Sequence, residues 1–344
     1  MPKLLLGAGL LALLVMHVDA PPARAGDTPE ATAPLRLGRT FALPDVDRAS
    51  GRGRFDHFAY DPLTKRLFVT AVTNGSVEVV DLESGKAVGS VGGLSHPLGI
   101  VLDEARGRVL VTCGGDGTLE AIDTRSLEVT TSVAVGRGPD NVRLVGDKVV
   151  VANASGFAVL GAATLERTAS WSLPGAPESF QAAPDGSRWF ANVPDAPRDG
   201  EGGSVLVVDG ATGATTATWH LAAASNYPMA IDEAGTRLYI ATRCPTRLLA
   251  VDTTSGRTVA SSACVGDADD VFVDPATGHV LLIGGAGAVE LYAPDASGAL
   301  TRVSALATER GARTGLLVPS RRALYVAVPR RGDTAAEIRE VLLR

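Results

Sequence analysis

The stretch Arg237–Gly256, "RLYIATRCPTRLLAVDTTSG", contains two apolar runs of strand length separated by a short Cys-Pro turn, and it closes on a Thr-Thr-Ser-Gly hairpin turn. Its first run recurs throughout the chain: "RLFVT" from Arg66, "RVLVT" from Arg108, "KVVVA" from Lys148, "RWFAN" from Arg188, "HVLLI" from His279 and "ALYVA" from Ala323. Successive copies start 42, 40, 40, 49, 42 and 44 residues apart. A period of about 40–45 residues with strand-forming cores is the signature of four-stranded repeat units.

Each copy follows an apolar strand and a turn such as "DPLTK" or "DEAGT". Each leads through a loop to a third strand of the type "SVEVVD", "TLEAID" or "SVLVVD", and then through a hairpin turn to a fourth. Continuous apolar runs require cover on both faces of the sheet, which radial packing of such units provides while leaving only short edges. The fold class is therefore all-β: a seven-bladed β-propeller of four-stranded blades. The last repeat has three strands, and the N-terminal "LRLGRTFALP" belongs to no preceding one, so an N-terminal strand is expected to complete the last blade and close the ring. The long interval carries its excess in "VPDAPRDGEGG", read as an exposed loop in blade four.

Ahead of the repeats, Lys3, the apolar "LLLGAGLLALLVM" and "PPARA" form a secretory signal peptide over residues 1–25. Residues 26–34 read as a linker and 35–344 as the propeller, with no membrane span after cleavage. The expected localisation is periplasmic or extracellular, in a bacterial protein, as a monomer.

Repeats such as "RLYIATR…RLLAVDTTSG", together with "RFDHFAYD", "PESFQ", "NYPMAIDE", "GDADDVF" and "GARTGLLVP", resemble the bacterial YncE-like, YVTN-repeat β-propeller family over essentially the whole mature chain. The resemblance implies a seven-bladed propeller outside the cytoplasm. It implies no single reaction, since this fold carries binding proteins, scaffolds and enzymes.

Residues that open the innermost strands converge on one mouth of a propeller's channel. They supply Asp56 and His57, His96, Asp140 and Asn141, Glu178, Asn226, Asp269 and Asp270, and Arg313. Each also reads as a turn former, but a ring of them makes the mouth a ligand site for a small molecule or a protein partner. An oxygen set from Glu178, Asn226 and Asp269, with Asp140 and Asp270 nearby, suits a divalent cation such as Ca²⁺ or Mg²⁺. Alternation along the strand predicts that only one of Asp269 and Asp270 faces the channel. Asp267 is assigned to the preceding turn. Arg313 reads either as a clamp for an anion or as a counter-ion to Asp269 or Asp270. Cys244 and Cys264 fall on neighbouring strands of one face and are expected to form a disulfide, the alternative being two free thiols; Cys113 reads as a small buried residue.

Export and a missing catalytic signature favour a binding or scaffold protein acting through the channel mouth. No GxSxG, HExxH, Walker, Rossmann or CxxC motif occurs. The alternative is a metal-dependent, lactonase-like hydrolase or lyase with the ion in the channel. A third reading, single-stranded nucleic-acid binding, follows from part of the resembled family. It is weakened by a net charge of -6, from 32 basic and 38 acidic residues without a basic run.

Overall fold

A computed structural model of the protein describes residues 33–194 and 202–344. The expected leader, most of the expected linker and most of the "VPDAPRDGEGG" loop lie outside these residues. Seven four-stranded antiparallel sheets form the propeller. Blade one contains β2 (Phe55–Asp61), β3 (Arg66–Ala71), β4 (Ser76–Asp81) and β5 (Lys86–Val91). Five further blades follow in strict chain order, with innermost strands β6 (Pro97–Asp103), β10 (Val142–Val145), β14 (Phe180–Ala182), β18 (Met229–Ile231) and β22 (Ala268–Val273).

Blade seven departs from chain order, as expected. It runs β26 (Gly315–Val318), β27 (Ala323–Val328), β28 (Ala336–Leu343) and then β1 (Leu35–Leu43), so the N-terminal strand supplies its outer edge. Phe41 and Leu43 of β1 are buried among Phe58, Leu67, Tyr325 and Ile338, at the seam between blades seven and one. Among the described residues there is no helix long and apolar enough to cross a membrane.

Burial explains the sequence pattern strand by strand. The recurring "RLFVT" strand and its successor are buried along nearly their full length, because each sheet is sandwiched between two others. Outer strands instead alternate exposed with partly buried positions, as in Thr258–Ala263, because water covers one face. Seven separate clusters of buried side chains occupy the seven seams. In blades one to six, the pairing of the third strand with the outer one slips at the same place, between Val79 and Val80 in blade one for instance. A bulge beside a free edge twists it and lowers its ability to pair with another chain.

The basic residue opening the recurring block has a structural task in three blades. Arg66 donates through Nη1 to Thr124 O of the next blade at 2.9 Å, and Arg188 donates to Thr253 O at 2.7 Å. Arg108 reaches Ala162 O across the seam in the same way, while its Nε holds Asp103 at 2.9 Å. These contacts lock neighbouring blades by satisfying carbonyls left unpaired at hairpin turns.

Candidate functional site at the channel mouth

The residue ending the recurring block determines where the mouth residues sit. In "RLFVT" and "RVLVT" it is a threonine, and in "RWFAN" an asparagine; all three are fully buried. Thr70 Oγ1 accepts from His57 N at 3.1 Å and donates to Leu98 O of the next blade at 2.8 Å. Thr112 accepts from Gly99 N at 2.8 Å and donates to Asp140 O of blade three. Asn192 Nδ2 reaches Tyr227 O and Pro228 O of blade five. These ties hold the start of one inner strand against its neighbour.

Bulges then re-aim the side chains. On β2, the register slips between Phe55 and Phe58, leaving Asp56 and His57 outside the regular ladder. On β22 it slips between Ala268 and Asp270, so Asp269 is an extra residue without a partner. Simple alternation fails there, and both Asp269 and Asp270 line the cavity. The expectation that only one would do so is corrected: an inserted residue breaks the period of two.

The resulting cavity has a volume of about 620 Å³ and takes side chains from every blade except the second. Asp56, His57, Asp140, Asn141, Glu178, Asp269, Asp270 and Arg313 all line it. Arg54, Arg143, Gln181, Tyr227 and Arg243, which the sequence reading did not single out, join them. Arg143 follows Asn141 by two positions and therefore shares its face of the strand. Arg243 closes the strand Arg237–Arg243 of blade five, two residues beyond the recurring block.

Two expected members lie elsewhere. His96 is exposed, with φ of 58°, and lines a shallower neighbouring groove shared with Asp140 and Glu178. Asn226 is fully buried and turns into the seam between blades four and five, donating to Asn192 Oδ1 at 3.1 Å and to Ser204 O at 3.0 Å. It follows Ser225, whose positive φ of 58° redirects the chain before β18.

With Asn226 withdrawn, the oxygen set expected for a divalent cation is not assembled. Asp269 is engaged by two guanidinium groups. Among the described residues, no group of three or more His, Cys, Asp or Glu side chains is arranged to hold a metal ion.

The disulfide is also corrected: Cys113, Cys244 and Cys264 are free thiols. Ala263 pairs with Arg247, which places Cys264 beyond the end of that ladder. Cys244 bridges instead to Ala224 on the other side of its hairpin. Cys264 packs into the seam between blades five and six, where burial and the Glu290 charge push its thiol up to about 12.

Electrostatically the mouth has two halves. In one, Arg243 and Arg313 from blades five and seven converge on blade six. Arg313 Nη1 lies 3.0 Å from Asp267 Oδ1 and its Nε 3.0 Å from Asp269 Oδ2, while Arg243 contacts both acids and covers the Tyr227 ring at 4.3 Å. Of the two readings of Arg313, the geometry selects the counter-ion. Asp267, assigned only to a turn, joins this quartet. Burial raises Asp269 to about 6 against the opposing pull of both arginines.

In the other half, Arg143 donates to Asn141 Oδ1, so the Asn141 amide nitrogen faces His57 Nε2 at 3.2 Å. That contact makes Nε2 the acceptor and puts the imidazole proton on Nδ1, directed at Asp270 Oδ1 3.7 Å away. Burial lowers the His57 pKa, favouring the neutral ring. Burial raises Asp270 well above the carboxylate range, although Gly315 N donates to its Oδ2 at 2.8 Å. Asp140 is also raised, first by burial and then by Asp56 and Glu178.

No protein-family model matches the chain, and no curated protein matches its sequence. Solved structures do resemble it in shape. A Kuenenia stuttgartiensis hydrazine synthase chain superposes with a TM-score of 0.71 at 16% identity, covering 84% of this chain and 95% of that one. A chain from a crystal structure of the mitotic checkpoint complex superposes with a TM-score of 0.70 at 13% identity, covering 96% and 99% respectively. At these identities the likeness is one of fold: a seven-bladed, WD40-like β-propeller.

Proposed function

We propose that this protein is a periplasmic or extracellular YncE-like propeller that binds a small polar ligand at its channel mouth. The observation carrying this reading is the cavity of about 620 Å³, where six blades place charged and amide side chains over a partly apolar floor. That volume falls within the range of small-molecule sites, and convergent polar groups on a concave surface fix a ligand's orientation. Support for the cellular location comes from the leader-like N-terminus and the repeat motifs.

The test is thermal unfolding of the purified protein against a panel of small cations, polyols and carboxylates, alongside a plugged variant, Gln181→Trp. Stabilisation of the natural sequence that is lost in Gln181→Trp supports the mouth as the site. No stabilisation by any member of the panel, or equal stabilisation of both proteins, overturns it.

A further inference from the structure

A second cavity, of about 580 Å³, continues down the channel from the mouth. In blade one the mouth cavity takes Arg54, Asp56 and His57, whereas the second takes His57 through Tyr60, farther along β2. Blade two, absent from the mouth cavity, supplies Ile100, Val101 and Leu102. The walls change character on the way. Tyr60, Val101, Leu102, Phe272 and Leu316 each pack partly against a seam core and turn the rest of their surface to this lower cavity. From His57 to Tyr60 along the strand is roughly 10 Å, room for a short alkyl chain or one aromatic ring.

Arg143 stands where the two cavities meet, lining both. Its situation differs from that of the other arginines at the mouth. Arg54 has Asp56 at 3.5 Å, and Arg243 and Arg313 share Asp267 and Asp269. Arg143 forms no ion pair among the described residues. Its Nη1 donates to Asn141 Oδ1 and to Val142 O at 3.0 Å, and the guanidinium lies 5.7 Å from the centre of the Phe180 ring. These contacts fix the group but leave Nε and Nη2 without a hydrogen-bond partner among the described residues. Those two N–H groups form the edge that holds a carboxylate through both oxygens. Burial works against the Arg143 charge, which Asp270 and Asp140 offset only through space. Asp270 is itself engaged, accepting from Gly315 N through Oδ2 and facing His57 Nδ1 through Oδ1. A guanidinium withdrawn from water without a carboxylate carries a cost that an incoming anion relieves.

We propose that the lower cavity binds a small amphipathic carboxylate, its carboxyl group on the Nε and Nη2 edge of Arg143 and its alkyl or aryl body against Tyr60, Val101, Leu102, Phe272 and Leu316. The site is a second one, beyond the polar mouth. It shares Arg143 with the mouth cavity but needs no ligand there, and Val101 lies outside the mouth. The charge sets the ligand's orientation, and the apolar walls supply affinity in proportion to the carbon surface they cover.

The experiment is calorimetric titration of the purified protein near neutral pH with octanoate and phenylpropionate, against octanol, octylammonium and acetate. Octanol lacks the charge, octylammonium reverses it and acetate lacks the carbon body. The two amphipathic carboxylates are expected to bind about tenfold or more tightly than any comparator. Arg143→Gln, checked for native circular dichroism, should bring octanoate down to the affinity of octanol. Val101→Trp, checked in the same way, fills the lower cavity alone and should weaken octanoate about tenfold or more. It should leave intact any stabilisation by the mouth panel that Gln181→Trp abolishes.

Octanol, octylammonium or acetate binding as tightly as octanoate, or octanoate affinity undiminished in Arg143→Gln, would overturn the proposal. Octanoate affinity unchanged in Val101→Trp would place the ligand outside the lower cavity and overturn it too, with no bearing on the mouth. Failure of both carboxylates to bind would overturn it whether or not the panel stabilises the protein through the mouth.

Discussion

Arg313 of blade seven points its Nε at Asp269 Oδ2 of blade six, 3.0 Å away, and the same guanidinium holds Asp267. A bidentate bridge across a seam fixes both the bulge and the angle between two blades. Arg313→Met should therefore destabilise the fold by about 1–3 kcal/mol, between the values for exposed and for buried ion pairs, as read from urea unfolding.

The same site gives a pH dependence. Asp269 is raised from 3.8 to about 6 in the folded protein, mainly by burial. Between those values the native state holds a proton that the unfolded chain has released. Its contribution is therefore fully present below about pH 4 and lost as pH rises through about 6. Compared with Asp269→Asn, the natural protein should gain relative stability as pH falls from 7 to 4, by on the order of 3 kcal/mol. Parallel unfolding curves at all pH values would refute it.

Thr112 is expected to matter more than its size suggests. Its hydroxyl serves Gly99 N on the inner strand of blade two and Asp140 O just ahead of the inner strand of blade three. Thr112→Val keeps the shape but removes both side-chain bonds, leaving the direct Gly99 N to Asp140 O bond at 3.0 Å as the tie between the two inner strands, at a cost of about 1–3 kcal/mol for the two lost bonds. It should also weaken ligand binding at the mouth, because Asp140 is tethered through this contact. Amide exchange at Gly99 would report the lost bond directly.

Phe41 tests the closure of the ring. It is fully buried, with its ring 6.1 Å from that of Tyr325 and Arg39 over its face at 5.0 Å. Phe41→Ala should cost about 3–5 kcal/mol. Deleting Leu35–Leu43 removes the outer strand of blade seven and should abolish the cooperative unfolding transition, which calorimetry would detect.

Thiol chemistry gives a further outcome. In the folded protein an alkylating reagent should modify exposed Cys244 first, and buried Cys113 only on unfolding, since burial pushes that thiol up to about 12. Intact-mass measurement should count three modified cysteines after denaturation without reductant.

Blade number and order are legible in the sequence because each "RLFVT"-type strand is covered on both faces and must be apolar throughout. β1 is also legible, as a strand without a repeat of its own. The site is less so. Asp56, His57, Asp140 and Glu178 could be located because they open inner strands, but the bulge beside Asp269 has no mark in the residues themselves, and it undid the alternation rule. Asn226 failed for a related reason: a single positive φ at Ser225 turns its side chain away from the channel. Arg243 escapes the sequence because its partners Asp267 and Asp269 come from another blade, which no local window contains; Arg143 bonds its own neighbours Asn141 and Val142, but an arginine on a short strand carries no mark of that fold-back.

The pairing of β1 with β28 also sets a timetable. Arg39 and Glu340, whose side chains meet across that ladder, are separated by 301 positions. A contact of such long range cannot nucleate folding, since closing so large a loop costs entropy before any bond repays it. Blades one to six can each form from adjacent sequence, whereas blade seven waits for both ends. Until then Phe58, Leu67 and Tyr325 have one face uncovered, so the nearly finished ring is the state most prone to join another copy, by lending its β1 to a neighbour.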